Sequence, residues 1–192
     1  MSTDVDEAIM LAARTQVVQM GIRRTTMSSV ARGAKISRPT LYARFSGKDA
    51  LISKLLTHEL LTVVAEGKRL PDTGSGFVEA LMDAARAVAS NEVVKAIVEE
   101  QPELLGTYFF RRLGESQVRI IGALERKIAQ IQRNAPHTIC HRDPHAAATM
   151  CCSVLQHFAI SARIFDPVLR AQRSGSTWDQ ELQVMLEGYL LP

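Results

Sequence analysis

Residues 25–48 read TTMSSVARGAKISRPTLYARFSGK, and the spacing inside this stretch decides the fold. Thr25-Thr26 offers a hydroxyl that can cap free backbone N–H groups, and Met27, Val30, Ala31 and Ala34 then lay one apolar stripe over two turns. The pattern predicts a short helix. Ser37 supplies a second cap, Pro39 falls in a first turn where its missing N–H costs least, and Leu41, Tyr42 and Phe45 run on to a Ser46-Gly47 stop. A second short helix follows. Two such helices joined by a turn of three or four residues make a helix-turn-helix over 26–45, a unit that places the start of its second helix in a major groove.

Upstream, Ala8, Ile9, Leu11, Ala12, Val17, Val18 and Met20 recur at helical spacing before Gly21, predicting a first helix over roughly 4–20. Downstream, Leu51, Ile52, Leu55, Leu56, Leu60, Val63 and Val64 mark a long amphipathic helix from Lys48 to about residue 70, broken by 71–76. Further helices are expected over 77–89, 92–100, 103–132, 145–165 and 178–190. Residues 134–144 read as loop, and Asp166-Pro167 with the polar run 173–176 reads as the separator of the last two helices. No stretch alternates as a strand would. The class is all-α, with about nine helices and a three-helix head over 1–54 followed by a helical body over 55–192.

Charge is distributed unevenly along the chain. Residues 1–55 carry nine basic side chains against four acidic ones, while the whole chain has a net charge of only +3, so the body is slightly acidic. A basic head on a near-neutral body suits a protein that meets a polyanion at one end. No apolar run reaches the ~18 residues that a membrane span needs, and the N-terminus begins acidic, which predicts a soluble cytoplasmic protein with no membrane partner. The three cysteines, Cys140, Cys151 and Cys152, are too few and too clustered for a disulfide framework and are expected to be reduced.

Residues 8–56 resemble the N-terminal domain of the TetR family of transcriptional regulators. The resemblance rests on Gly21, Thr25-Thr26, Val30-Ala31, Ala34, Ile36-Ser37, Thr40-Leu41-Tyr42, Phe45, Lys48 and Leu51. It implies a homodimer that binds double-stranded, palindromic operator DNA, most simply as a repressor, and is released by a small-molecule effector. Chemistry agrees position by position. Ser37 caps the recognition helix, whose N-terminal dipole end favours phosphate, and Arg38 and Thr40 stand at its start, where an arginine can fork onto guanine. Tyr42, Lys48, Arg44 and the Thr26 hydroxyl suit phosphate contacts. The bland alternatives are a half-buried core aromatic for Tyr42 and a solvated helix start for Lys48. Two residues depart from the family pattern. Lys35 stands where the turn usually has glycine, so it must accept a left-handed conformation or change the turn, and it adds a basic group to the site. Pro39 follows Arg38 where a small residue is usual.

For the body the resemblance implies pairing through the last two helices, so the dimer interface is expected at Met150, Val154, Phe158, Leu182, Met185 and Tyr189; a purely intramolecular core is the alternative. Polar or aromatic residues on otherwise apolar helices, namely Arg86, Tyr108, Phe109, Gln117 and His157, are the candidate effector pocket. The cluster His137, Cys140, His141 and His145, with Cys151-Cys152 nearby, invites a metal or redox reading, but Pro136 and Pro144 interrupt it, and an ordinary polar loop with small core cysteines is the alternative. No nucleophile–base spacing, phosphate-binding glycine loop or HExxH pair occurs, so neither an enzyme nor a cofactor or metal is expected. The rival readings are a helical small-molecule-binding protein or enzyme with an incidental basic head, and an architectural DNA-binding protein without an effector.

Overall fold

The computed structural model describes the backbone of residues 2–66, 71–110, 113–171 and 175–192. Among them are ten α-helices: α1 Ser2–Met20, α2 Met27–Gly33, α3 Arg38–Tyr42, α4 Lys48–Glu66, α5 Gly74–Ser90, α6 Glu92–Glu100, α7 Glu103–Phe110, α8 Glu115–Asn134, α9 Pro144–Arg170 and α10 Trp178–Leu190. One 3-10 turn, Pro136–Thr138, lies in the segment read as loop. The all-α class is therefore observed, and the described residues contain no strand.

Two boundaries differ from those expected. The single helix over 103–132 is two helices: Leu113 and Gly114 are non-helical, because glycine is a poor helix former and Glu115 favours a fresh N-terminus. Conversely, Asp166-Pro167 does not separate helices, since α9 continues to Arg170 with Pro167 inside it. Proline removes one backbone hydrogen bond there. Asp166 offsets the loss, for its carboxylate accepts from Arg170 one turn on and from the Trp178 backbone N–H that opens α10. The tail of the helix expected to reach residue 70, and residues 173–174, lie outside the described residues.

The chain forms two compact units. The first comprises residues 1–60 and 91–114, so α6, from the middle of the sequence, packs against α1, and α7 against α6. Its core is Ile9, Ala13 and Val17 of α1, Ile22, Val30 and Ala31 around α2, Leu41 of α3, Leu51, Ile52 and Leu55 of α4, and Val93 and Ile97 of α6. Residues 51, 52, 55 and 59 share one face of α4, which is why Glu59 is buried with the leucines. Each fully buried leucine or isoleucine contributes about 1.5–3 kcal/mol.

The second unit, residues 61–90 and 115–192, packs α5, α8, α9 and α10 around Phe77, Met82, Ile128, Ile131, Ile139, Leu182 and Leu190. Ala147, Ala148, Cys151 and Cys152 give α9 a face of small residues against which neighbouring helices lie close. Burial pushes the Cys151 thiol up to about 12, with Cys152 adding to the shift, and the Cys152 thiol up to about 11. Lys127 of α8, mostly buried, reaches Asp72 at 2.6 Å. The N-terminus of α5 docks so tightly that a Cβ on Gly74 would lie 1.7 Å from the Thr138 carbonyl oxygen.

Candidate nucleic-acid interface

The helix-turn-helix is built from local hydrogen bonds. Thr26 caps α2: its Oγ1 accepts from the Ser29 N–H at 3.1 Å while the Thr26 N–H donates to Ser29 Oγ at 3.1 Å. At the other end, the Ile36 N–H donates to the Ala31 carbonyl (3.0 Å) and the Lys35 N–H to that of Arg32 (3.1 Å). These two bonds define a Schellman cap, and they require a left-handed residue between helix and turn. Lys35 is that residue, at φ 55°, and among the described residues it is the one non-glycine with positive φ. The departure read in the sequence is thus resolved by backbone strain and not by a different turn.

Ser37 caps α3 by accepting from the Thr40 N–H at 3.2 Å, and the two hydroxyls lie 2.7 Å apart. Pro39 occupies the first turn. Leu41 is fully buried, whereas Arg38 and Tyr42, four residues apart and one above the other, are both exposed, Tyr42 at 54%. Lys35, Arg38, Tyr42 and Arg44 are all exposed, so charge and a phenol reach solvent on and beside α3. Two residues are less free than their sequence positions imply. Lys48 Nζ donates to the Ile22 carbonyl at 3.2 Å, tying the start of α4 to the turn after α1. Arg44 Nε donates to Asp6 Oδ1 of α1 at 2.9 Å.

Supporting carboxylates were not singled out in the sequence. Glu100 of α6 accepts from the Arg23 N–H at 3.0 Å and abuts Gly21, whose φ of 80° turns the chain from α1 toward α2. Glu59 of α4 accepts from Asn91 Nδ2 at 2.7 Å and pairs with Arg14 of α1 at 3.3 Å, while Asn91 Oδ1 caps α6. Helical spacing put Glu59 on the inward face of α4, a signal available from the sequence. Glu100 left none, because its partners lie 77 residues away.

Residues 9–55 match the model of the bacterial regulatory proteins of the tetR family. An HTH-type transcriptional regulator of Mycobacterium bovis, uncharacterised, is 28% identical over 187 residues, spanning 97% of this chain and 95% of that protein. Residues 9–55 thus match a DNA-binding domain of the tetR type, and over nearly its whole length the chain is similar to HTH-type transcriptional regulators. Solved TetR-family structures have the same fold: the repressor AlkX from a Dietzia species, implicated in biodegradation of n-alkanes, superposes with TM-score 0.68 at 18% identity, covering 95% of this chain and 91% of that one. A regulator from Pectobacterium atrosepticum gives 0.69 at 18% identity over 99% and 96%.

The remaining candidates lie on α5, α7, α8 and α9. Arg86, partly exposed, pairs with Asp179 and Asp83, each at 3.2 Å. Gln117 is buried and donates to Gln156 Oε1 at 2.6 Å, bridging α8 and α9. His157 lines an open apolar groove of about 430 Å³ with Phe158, Phe165, Val168 and Trp178, between α9 and α10. Tyr108 and Phe109 are on α7, and their side chains lie outside the described residues.

Of the expected interface, Met150 and Met185 are about half exposed and line a second groove with Val154 and Tyr189. Phe158 is half-buried. Leu182 is different: with Leu186 and Leu190 it forms the inward face of α10 and is fully buried in its own unit. The outward positions are Val184 and Met185, and on α9 Ile164, Phe165 and Val168. Tyr189 also carries Arg142, whose guanidinium carbon lies 4.2 Å from the ring centre.

The His/Cys loop is knitted into the fold. Cys140 Sγ donates to the Leu191 carbonyl at 2.9 Å, and His145 pairs with Glu125 at 2.9 Å, which raises the imidazole pKa. Among the described residues no three His, Cys, Asp or Glu side chains converge as a metal site would require. No described helix is long and apolar enough to cross a membrane.

Proposed function

We propose that the chain is a dimeric repressor that reads a palindromic operator with α3 and leaves it when a small molecule binds the body. The observation that carries this reading is the outward face of the helix-turn-helix, where Arg38 and Tyr42 stand in register on a capped helix flanked by the strained Lys35. Arg38 reads a base edge, Tyr42 and Lys35 contact phosphates, and Thr26 offers its hydroxyl at the start of α2. Thr40 and Ser37, already bonded to each other, hold the helix start in shape. Lys48 serves first as a brace and keeps two further N–H donors for a phosphate. The DNA-binding module is 1–54 in sequence, braced by α6.

Dimerisation uses the outward residues of α9 and α10. Ile164, Phe165, Val168, Val184 and Met185 are each at least half exposed, and an apolar face of this extent calls for a partner. A second copy satisfies it and sets two recognition helices ~34–36 Å apart, one DNA turn. An effector that binds the DNA-incompetent form more tightly then shifts the population off the operator.

The test is selection from a random duplex pool with the purified protein. Two inverted half-sites centred about 10–10.5 base pairs apart, or a multiple of that, support the reading; a single unrepeated site, or no enrichment, overturns it.

A further inference from the structure

An ion pair joins the recognition segment to α1. Arg44 follows α3 by two residues, and its Nε donates to Asp6 Oδ1 at 2.9 Å, with the arginine side chain 31% and the aspartate 53% exposed. Both residues line an open cleft, together with Glu7 and Lys54. A carboxylate on a guanidinium is chemically what a DNA phosphate is: a planar or tetrahedral oxyanion taking the same N–H donors.

We infer that Asp6 is an internal competitor for Arg44, occupying it as a phosphate would and holding down the head's sequence-independent affinity for DNA. This rests on the reading of the helix-turn-helix face given above. The pair is exposed, so it is weak enough for a phosphate to displace. It is also specific, because it uses one donor edge and cancels the charge of the arginine closest to the end of α3. Non-specific binding is set by the number of phosphates neutralised, so masking one arginine per head lowers competition from bulk DNA and leaves base reading by Arg38 untouched. Asp6 therefore acts on selectivity through Arg44, without touching DNA.

The experiment measures affinity for a scrambled duplex across a salt series for the full-length wild type, Asp6→Asn, Asp4→Asn, Arg44→Ala and Asp6→Asn/Arg44→Ala. Asp4 is exposed on the same helix and controls for loss of one negative charge, and circular dichroism checks folding. Asp6→Asn is expected to bind about three- to tenfold more tightly than wild type and to steepen the log–log salt slope by about one per head. Asp4→Asn should change affinity less than twofold, and Asp6→Asn should do no more than that in the Arg44→Ala background. Equal effects of Asp6→Asn and Asp4→Asn, or an undiminished effect without Arg44, overturn the inference. Arg38→Ala on the selected operator separates the two levels: if it weakens operator binding while Asp6 and Arg44 show no coupling, the interface reading stands and the competitor fails.

Discussion

Lys35 carries two consequences that pull in opposite directions. At φ 55° it occupies the left-handed position of the α2 cap, which costs an L-residue with a β-carbon about 1–2 kcal/mol and costs glycine none. Glycine gives back about 0.5–1 kcal/mol in unfolded-state freedom, so Lys35→Gly should stabilise the protein by about 0.5–1 kcal/mol. For a chain of this length that corresponds to about 1–4 °C in thermal midpoint. Lys35→Ala keeps the β-carbon and hence the strain, so its midpoint should stay with the wild type. Both substitutions remove the exposed ammonium, and each should make the salt dependence of DNA binding shallower by about 0.9 per head. The assay is thermal unfolding of the three proteins followed by circular dichroism, paired with a salt series on one duplex. Lys35→Gly no more stable than Lys35→Ala would refute the strain argument; unchanged salt slopes would refute the phosphate contact.

Arg38→Ala is expected to relax preference at one base position per half-site by about 1–3 kcal/mol, measured on singly substituted operators, whereas a uniform loss at all positions would reassign Arg38 to the backbone. Gly74→Ala should destabilise by about 1–3 kcal/mol because its Cβ meets the Thr138 carbonyl, while Gly106→Ala, with open space around it, should stabilise by about 0.5–1 kcal/mol in the same denaturant titration; equal effects would contradict the packing of α5. The Asp166 carboxyl is held below the usual carboxylate range chiefly by Arg170, so its contribution is complete above the unfolded-state pKa of about 3.9 and fades as pH falls through the lower folded value. Asp166→Asn should therefore lose stability at neutral pH and show a flatter acid limb, and an unaltered acid midpoint with unaltered neutral stability would contradict this. Val184→Glu should yield monomers in sedimentation because the charge enters the apolar face of α10; a persistent dimer places the interface elsewhere.

Much of the head was legible because its signals are local. Thr26, Ser37 and Pro39 announced the helix starts and Val30, Ala31 and Leu41 the small core, while Lys35 left two turns open, a left-handed one or a changed one, all within a few residues of what they control. The body was harder. On α10 the sequence puts Leu182 and Met185 on one expected interface, yet Leu182 turns inward with Leu186 and Met185 turns outward, a distinction of about 60–100° that composition does not resolve. The pairing of Arg86 with Asp179 left no local signal, because the two are 93 residues apart. The break at Gly114 was missed because flanking apolar residues keep the helical period, and Pro167 misled in the other sense, since the Asp166–Arg170 pair and the Trp178 contact hold the helix through it. Asp6, Glu59 and Glu100 are ordinary surface-type residues in sequence, and only the packing of α1, α4 and α6 gives them work.

The most direct test of the central claim is the affinity of the purified protein for its selected duplex against a scrambled duplex, at physiological salt. The account predicts a ratio of at least ~10³ with two protomers per duplex. A ratio near one, with the same salt slope on both sequences, would mean that the head binds charge alone and that α3 reads no bases.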